Sequence, residues 1–120
     1  MRAELRYLHS PDADPLQAFS PKGPFGILVQ AIVGPSGAKG EESFDFVLCT
    51  PDWFALNKLS NSKAIVSGRH FVFVEKFDYP VLEEFVRLYC ESCNAKNWRT
   101  IGEKIGRLGR WEFEDYKPAD

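Results

Sequence analysis

The order of residues predicts an α+β fold: a mainly antiparallel sheet of about five strands with two to three helices packed on one face. Three observations carry this. Short β-branched and aromatic runs with two-residue alternation crowd the first half of the chain. Two segments with apolar residues three and four apart fill most of the second half. Prolines, glycines and capping residues separate them, giving the order β, β, β, α, β, α, α, β. The 120 residues contain no internal repeat, and they predict a single domain over 1–120.

Residues 2–8 (RAELRYL) alternate and read as the first strand. Residues 10–25 hold Pro11, Pro15, Pro21, Pro24 and Gly23 and read as a long irregular loop of the kind that is often functional or mobile. Residues 25–33 (FGILVQAIV) form a nearly continuous apolar run, a central strand buried on both faces for part of its length. The turn-forming stretch 34–42 (GPSGAKGEE) reads as a wide hairpin loop. In 43–49, Phe44, Phe46 and Leu48 point to a core, and Ser43, Asp45 and Val47 point away.

Thr50-Pro51-Asp52 then starts a helix. Thr50 is an N-cap acceptor, Pro51 suits the first helical position, and Asp52 complements the macrodipole. That helix is expected to reach Leu59 and to bury Trp53, Leu56 and Leu59. Residues 60–68 connect it, with room for a short strand, to a strand over 69–76 (RHFVFVEK), where Phe71 and Phe73 share one face and Val72 and Val74 the other. Asp78 and Pro80 start the next helix, with a predicted core stripe of Leu82, Phe85, Val86, Tyr89 and Cys93 and a stop at Asn94. A helix from Asn97 presents Trp98, Ile101, Ile105 and Leu108, weakened by Gly102, Gly106 and Gly109. Residues 110–114 (RWEFE) close the fold as a strand, with Trp111 and Phe113 on one side and Glu112 and Glu114 on the other.

Composition narrows the function. The net charge is −2, against the basic footprint a general nucleic-acid binder needs to displace counterions. The charge is in blocks: Glu41, Glu42, Asp45 and Asp52 without a base over 41–55; a basic run with Lys96, Arg99, Lys104, Arg107 and Arg110; then Glu112, Glu114 and Asp115. Such blocks steer partners, although a solvated surface is the plain alternative for each. Three cysteines, an odd number, and a start of Met1-Arg2-Ala3-Glu4 with no apolar stretch behind it are read as a reduced, cytoplasmic protein. No run of about 20 apolar residues would span a bilayer.

The search for chemistry returns nothing. Cys90-Glu-Ser-Cys93 is one ligand pair without a second, and it sits in a helix where Cys93 falls on the core stripe. There is no nucleophile elbow, and neither His9 nor His70 has a motif that places it beside a cysteine. Gly34-Pro-Ser-Gly37-Ala-Lys39-Gly40 lacks phosphate-loop spacing and leads into a strand. No cofactor, metal or catalytic residue is therefore expected. The carboxylates lie in loops and on outward strand faces, either solvated or forming an acidic patch that meets a basic protein surface.

Two stretches carry a resemblance: EESFDFVLCTPDW over 41–53 and RWEFEDY over 110–116, with the histidine-led strand HFVFVEKFD between them. In this order the chain resembles the immunity protein 8 (Imm8) family of bacterial polymorphic toxin systems. The family-like positions are Glu41, Phe44, Cys49, Thr50, Pro51, Trp53, Trp111, Glu112 and Phe113. Of these, Phe44 and Phe113 read as core, Thr50 and Pro51 as a helix start, and Trp53 and Trp111 as partly buried. The resemblance implies an α+β fold, no enzymatic activity, and an antidote that is encoded beside a toxin and binds the toxin domain in the cytoplasm. The toxin contact is expected at Glu41, Glu42, Asp45, Trp111, Glu112, Glu114, Asp115 and Tyr116. An adaptor with a different protein partner shares every compositional feature, and a small enzyme or nucleic-acid-binding domain is the third alternative. Whether 41–49 lies beside 110–116 is not decided by the sequence.

Overall fold

In the computed structural model, described for residues 1–60 and 65–115, five strands form one sheet: β1 (Ala3–His9), β2 (Gly26–Pro35), β3 (Glu42–Cys49), β4 (Phe71–Phe73) and β5 (Arg110–Trp111). Among the described residues three α-helices accompany them, besides a 3-10 turn (Leu16–Ala18): α1 (Pro51–Phe54), continued by a π-helical turn (Ala55–Leu59), then α2 (Tyr79–Ser92) and α3 (Trp98–Ile105). The α+β class read from the sequence is the class observed.

The order β1-β2-β3-β4 is antiparallel except for its last pair, where β4 runs parallel to β3. This follows from the connection: the chain leaves β3 through α1 and returns on the same side, and such a crossover brings strands back parallel. β5 lies along the same edge of β3 as β4, at the other end, with Trp111 opposite Phe44 and Arg110 opposite Asp45. One strand thus receives the tip of the C-terminal segment on its first half and β4 on its second.

The core sits on one face of the sheet. Val29, Ala31, Val33, Phe44, Phe46 and Leu48 are buried there beneath Val86, Ile101 and Ile105 of α2 and α3. The alternation read for 43–49 is observed, with Phe44, Phe46 and Leu48 inward. β2 is not enclosed on both sides. Ile27, Val29, Ala31 and Val33 are buried, while Leu28, Gln30 and Ile32 stay half-buried on the reverse face, where α1 packs. There the Trp53 ring lies over Gly26, where any Cβ would stand 2.4 Å from the indole, and Phe54 meets Phe71 and Phe73 edge-on. The helices thus divide into two on the core face and one short one on the reverse.

The helix starts follow the sequence. Thr50 Oγ1 accepts from the Trp53 N–H, the Asp78 carboxylate from Val81, and the Asn97 side chain from Thr100. Several expected burials do not hold. α1 makes its contacts through the adjacent Trp53 and Phe54, so Leu56 and Leu59 turn outward and are exposed. In α2 the core stripe is Leu82, Val86 and Cys90, followed by the buried Cys93 at its C-cap, while Phe85 is 47% exposed. β4 is only three residues long because β3, its partner, ends where Pro51 has no N–H to offer; the Val74 N–H closes the ladder on the Cys49 carbonyl. The possible strand over 60–68 falls in part outside the described residues, and 65–68 hold no regular element.

The long loop 10–25 is tied down. The Asp12 carboxylate accepts from the Leu28 N–H at 2.8 Å, prolonging the ladder after β1 has ended, and Leu16 is buried. Phe19 packs edge-on against Phe25 and Phe77, with ring centroids 5.2 and 5.0 Å apart.

Candidate functional site

The two acidic segments meet. The Glu112 N–H donates to the Ser43 carbonyl at 3.1 Å, and the Ser43 N–H donates to the Glu112 carboxylate at 2.8 Å. Glu112 therefore extends the β3–β5 ladder by one residue, with its side chain standing in for a backbone acceptor. After it the chain turns: the Glu114 N–H bonds the Trp111 carbonyl, and Asp115 takes a left-handed conformation at φ 62°. That turn cancels the alternation read for 110–114. Phe113 is not core but 40% exposed, with its ring edge-on to Trp111.

Trp111 is the pivot of the corner. Its ring stacks on Phe44, tilted by only 8°, and lies against Gly102 of α3, where a Cβ would come within 2.6 Å of the indole. The glycine that weakens the helix on propensity is required by this approach. Glu42 points to the core face above these rings. One of its oxygens accepts from Trp111 Nε1 at 2.7 Å and the other from Trp98 Nε1 at 2.6 Å. The carboxylate thereby clasps α3 and β5 to the start of β3 through two charge-assisted bonds.

The expected contact residues accordingly separate. Glu42 is occupied by the two indoles. Asp45 stands on the reverse face between Gln30, whose side-chain N–H donates to it at 3.3 Å, and Arg110 across the strand pair. Glu112 braces Ser43, and Glu114 accepts from Arg69 at 2.6 Å. Glu112 and Glu114, which had no evident structural duty in the sequence, thus each have one. Glu41 and Asp115 are exposed, and Tyr116 lies outside the described residues. A shallow cleft of about 380 Å³ opens at this corner between Arg69, Arg99, Trp111, Phe113, Glu114 and Asp115. It is of mixed charge, since Arg69 faces Glu114 and Arg99 pairs with Glu103 at 3.4 Å.

Sequence reasoning missed Trp98, Arg69 and His70. Trp98 is 56 residues from Glu42, and Arg69 is 45 from Glu114, so no local spacing could signal either pair. His70 is half-buried at φ 66°, with Nε2 donating to the Gly106 carbonyl at 2.7 Å. That bond ties the start of β4 to the end of α3 and spends the ring nitrogen on a structural contact.

The three thiols are all buried. Burial pushes Cys90 up to about 12, helped by Cys93 and Glu91; burial also raises Cys93 and Cys49. Thiols held protonated are poor nucleophiles and poor ligands. Among the described residues no group of three His, Cys, Asp or Glu side chains is placed to hold a metal ion, and no helix is long and apolar enough to cross a membrane.

The immunity protein 8 family matches residues 3–116, nearly the whole chain. The protein belongs to that family. No curated protein and no solved structure matches it. Membership makes this an immunity-type protein, for which a protein partner is implied in general. The match takes in both quoted motifs, and their structural meaning is now visible: Cys-Thr-Pro-x-Trp ends β3 and caps α1, and Trp-Glu-Phe builds the corner around Glu42.

Proposed function

We propose that this chain neutralises a cognate toxin domain by one-to-one binding that occludes the toxin's active site or an adjacent exosite, acting in the cytoplasm as a single domain without catalysis of its own. The contact is the corner formed by Glu41, the strand start at Glu42 and the turn from Trp111 to Asp115, and Asp45 and Tyr116 remain the further contact residues expected from the sequence. The convergence of the two acidic segments on Ser43 is the observation that supports it: residues 69 apart are joined by a reciprocal pair of hydrogen bonds, giving a preformed rather than a flexible patch. Within it the side chains divide the work. Glu41 and Asp115 are the exposed carboxylates that speed encounter with a basic surface. Phe113 is the apolar anchor, held edge-on by a buried and therefore rigid Trp111. Glu42, Glu112 and Glu114 hold this arrangement in place.

The test is a calorimetric titration of the chain against the C-terminal domain of the protein encoded immediately upstream. One-to-one binding that abolishes toxicity is expected. Affinity should fall roughly tenfold or more when salt rises from about 0.05 to about 0.5 M, and the Glu41→Gln, Asp115→Asn double variant should flatten that dependence. Phe113→Ala should weaken binding at every salt concentration. Failure to bind a domain shown to be folded and toxic would overturn the proposal and leave an adaptor role as the working reading.

A further inference from the structure

Asp45 has a carboxylate oxygen with nothing to bond. Its Oδ1 is buried, and among the described residues it is the one buried side-chain oxygen or nitrogen without a hydrogen bond. The other oxygen, Oδ2, accepts a single bond from the Gln30 side-chain amide, at a long 3.3 Å. Buried polar groups are almost always paired, and leaving a charged one unpaired costs more than leaving a neutral one. The chain therefore carries a carboxylate that its own fold does not satisfy.

The surroundings say what would satisfy it. Asp45 lies on the reverse face of the sheet, level with Gln30 on β2 and Arg110 on β5. Its nearest other neighbours on that face, Ser43, Val47, Leu28 and Ile32, are all half-buried. A polar centre ringed by partly buried apolar side chains is the layout of an interface hot spot. Arg110 is exposed and has no hydrogen bond or ion pair among the described residues, so it stands across from Asp45 without closing on it, and moving it aside breaks nothing. Segments 41–45 and 110–115 hold six carboxylates against Arg110 as their one base, so the local field favours a cation. We propose that Asp45 is a specificity-determining residue of the toxin contact, its Oδ1 taking a lysine ammonium or arginine guanidinium of the toxin in a pair from which water is excluded. This rests on the toxin-neutralising reading above and carries its contact from the corner, past Ser43, onto the reverse face of the sheet. The role differs from that of Glu41 and Asp115. Those exposed carboxylates act at a distance, on encounter, whereas Asp45 acts only after contact and holds the complex together.

Binding kinetics of the full chain with the toxin domain encoded immediately upstream, read beside thermal melts of the unbound chain, test this. Asp45→Asn should raise the dissociation rate about tenfold or more, leave the association rate within about twofold, and keep that loss at about 0.5 M salt, because a desolvated pair is little screened. The Glu41→Gln, Asp115→Asn double variant should do the reverse, slowing association and leaving dissociation within about twofold. In the unbound chain Asp45→Asn should lower the melting temperature by no more than about 2 °C, since the oxygen it replaces has no partner to lose. A wild-type complex that Asp45→Asn leaves unchanged, or weakens only at low salt, would overturn the proposal while leaving the toxin reading intact. So would a fall of more than about 5 °C in the unbound chain that Arg110→Gln reproduces and the double variant does not deepen, which would make Asp45 and Arg110 an internal pair. A wild-type chain that fails to bind a folded, toxic domain would instead remove the reading on which the proposal rests, and the proposal with it.

Discussion

Glu42→Ala removes a group that joins three elements. Its carboxylate accepts two indole N–H bonds of 2.6 and 2.7 Å, from Trp98 on α3 and Trp111 on β5. Bonds to a charged group contribute about 1.5–3 kcal/mol each. Glu42 and Trp98 are only half-buried, so water competes and the lower end of that range applies to them. Trp111 is 9% exposed, and its indole N–H, once abandoned, has little access to solvent. The expected cost is about 3 kcal/mol. At roughly 3–5 °C per kcal/mol for a chain of this size, the melting temperature should drop by about 9–15 °C. Glu42→Gln keeps one acceptor oxygen but turns an NH₂ towards the other indole, and should lose about half as much. The assay is urea unfolding followed by circular dichroism, with tryptophan fluorescence as a second probe of the same transition. A loss below about 0.5 kcal/mol for Glu42→Ala would refute the clasp and return Glu42 to the solvated patch.

Three further outcomes follow from the structure. Gly102→Ala, which on helix propensity alone should stabilise by about 1 kcal/mol, should instead destabilise by about 1–3 kcal/mol, because the new Cβ would stand 2.6 Å from a Trp111 ring already stacked on Phe44; thermal melts of the two proteins decide it. The second outcome concerns alkaline pH. Cys90 is raised by burial from 9.0 to about 12, so between those values the folded state holds a proton that the unfolded state has released. Stability should be unaffected by this group below pH 9.0 and should fall through the window up to about 12, by on the order of 1 kcal/mol per pH unit. Unfolding curves at stepped pH should show the slope, and Cys90→Ala, less stable overall, should flatten it. In the native state at neutral pH, a disulfide reagent should react with the buried thiols far more slowly than in urea.

The sequence by itself determined what short-range physics fixes. Thr50, Asp78 and Asn97 cap helices because a side-chain oxygen two or three residues from an N–H needs nothing else to find it. The two-residue period assigned Phe44, Phe46 and Leu48 to the core, since a single slip would have turned all three to solvent. The motifs around Thr50 and Trp111 were enough to indicate the family. Tertiary structure decided the rest. Helical spacing marks Leu56, Phe85 and Leu88 as apolar without saying which stripe the sheet will cover. Phe113 obeys the strand period but turns away, because the chain leaves β3 after Glu112. The acidic residues were legible as charge and illegible as contacts. Glu42, Glu112 and Glu114 found partners 56, 69 and 45 residues distant, and a hydrogen bond of that span is set by where the sheet brings the chain back, which no local pattern encodes.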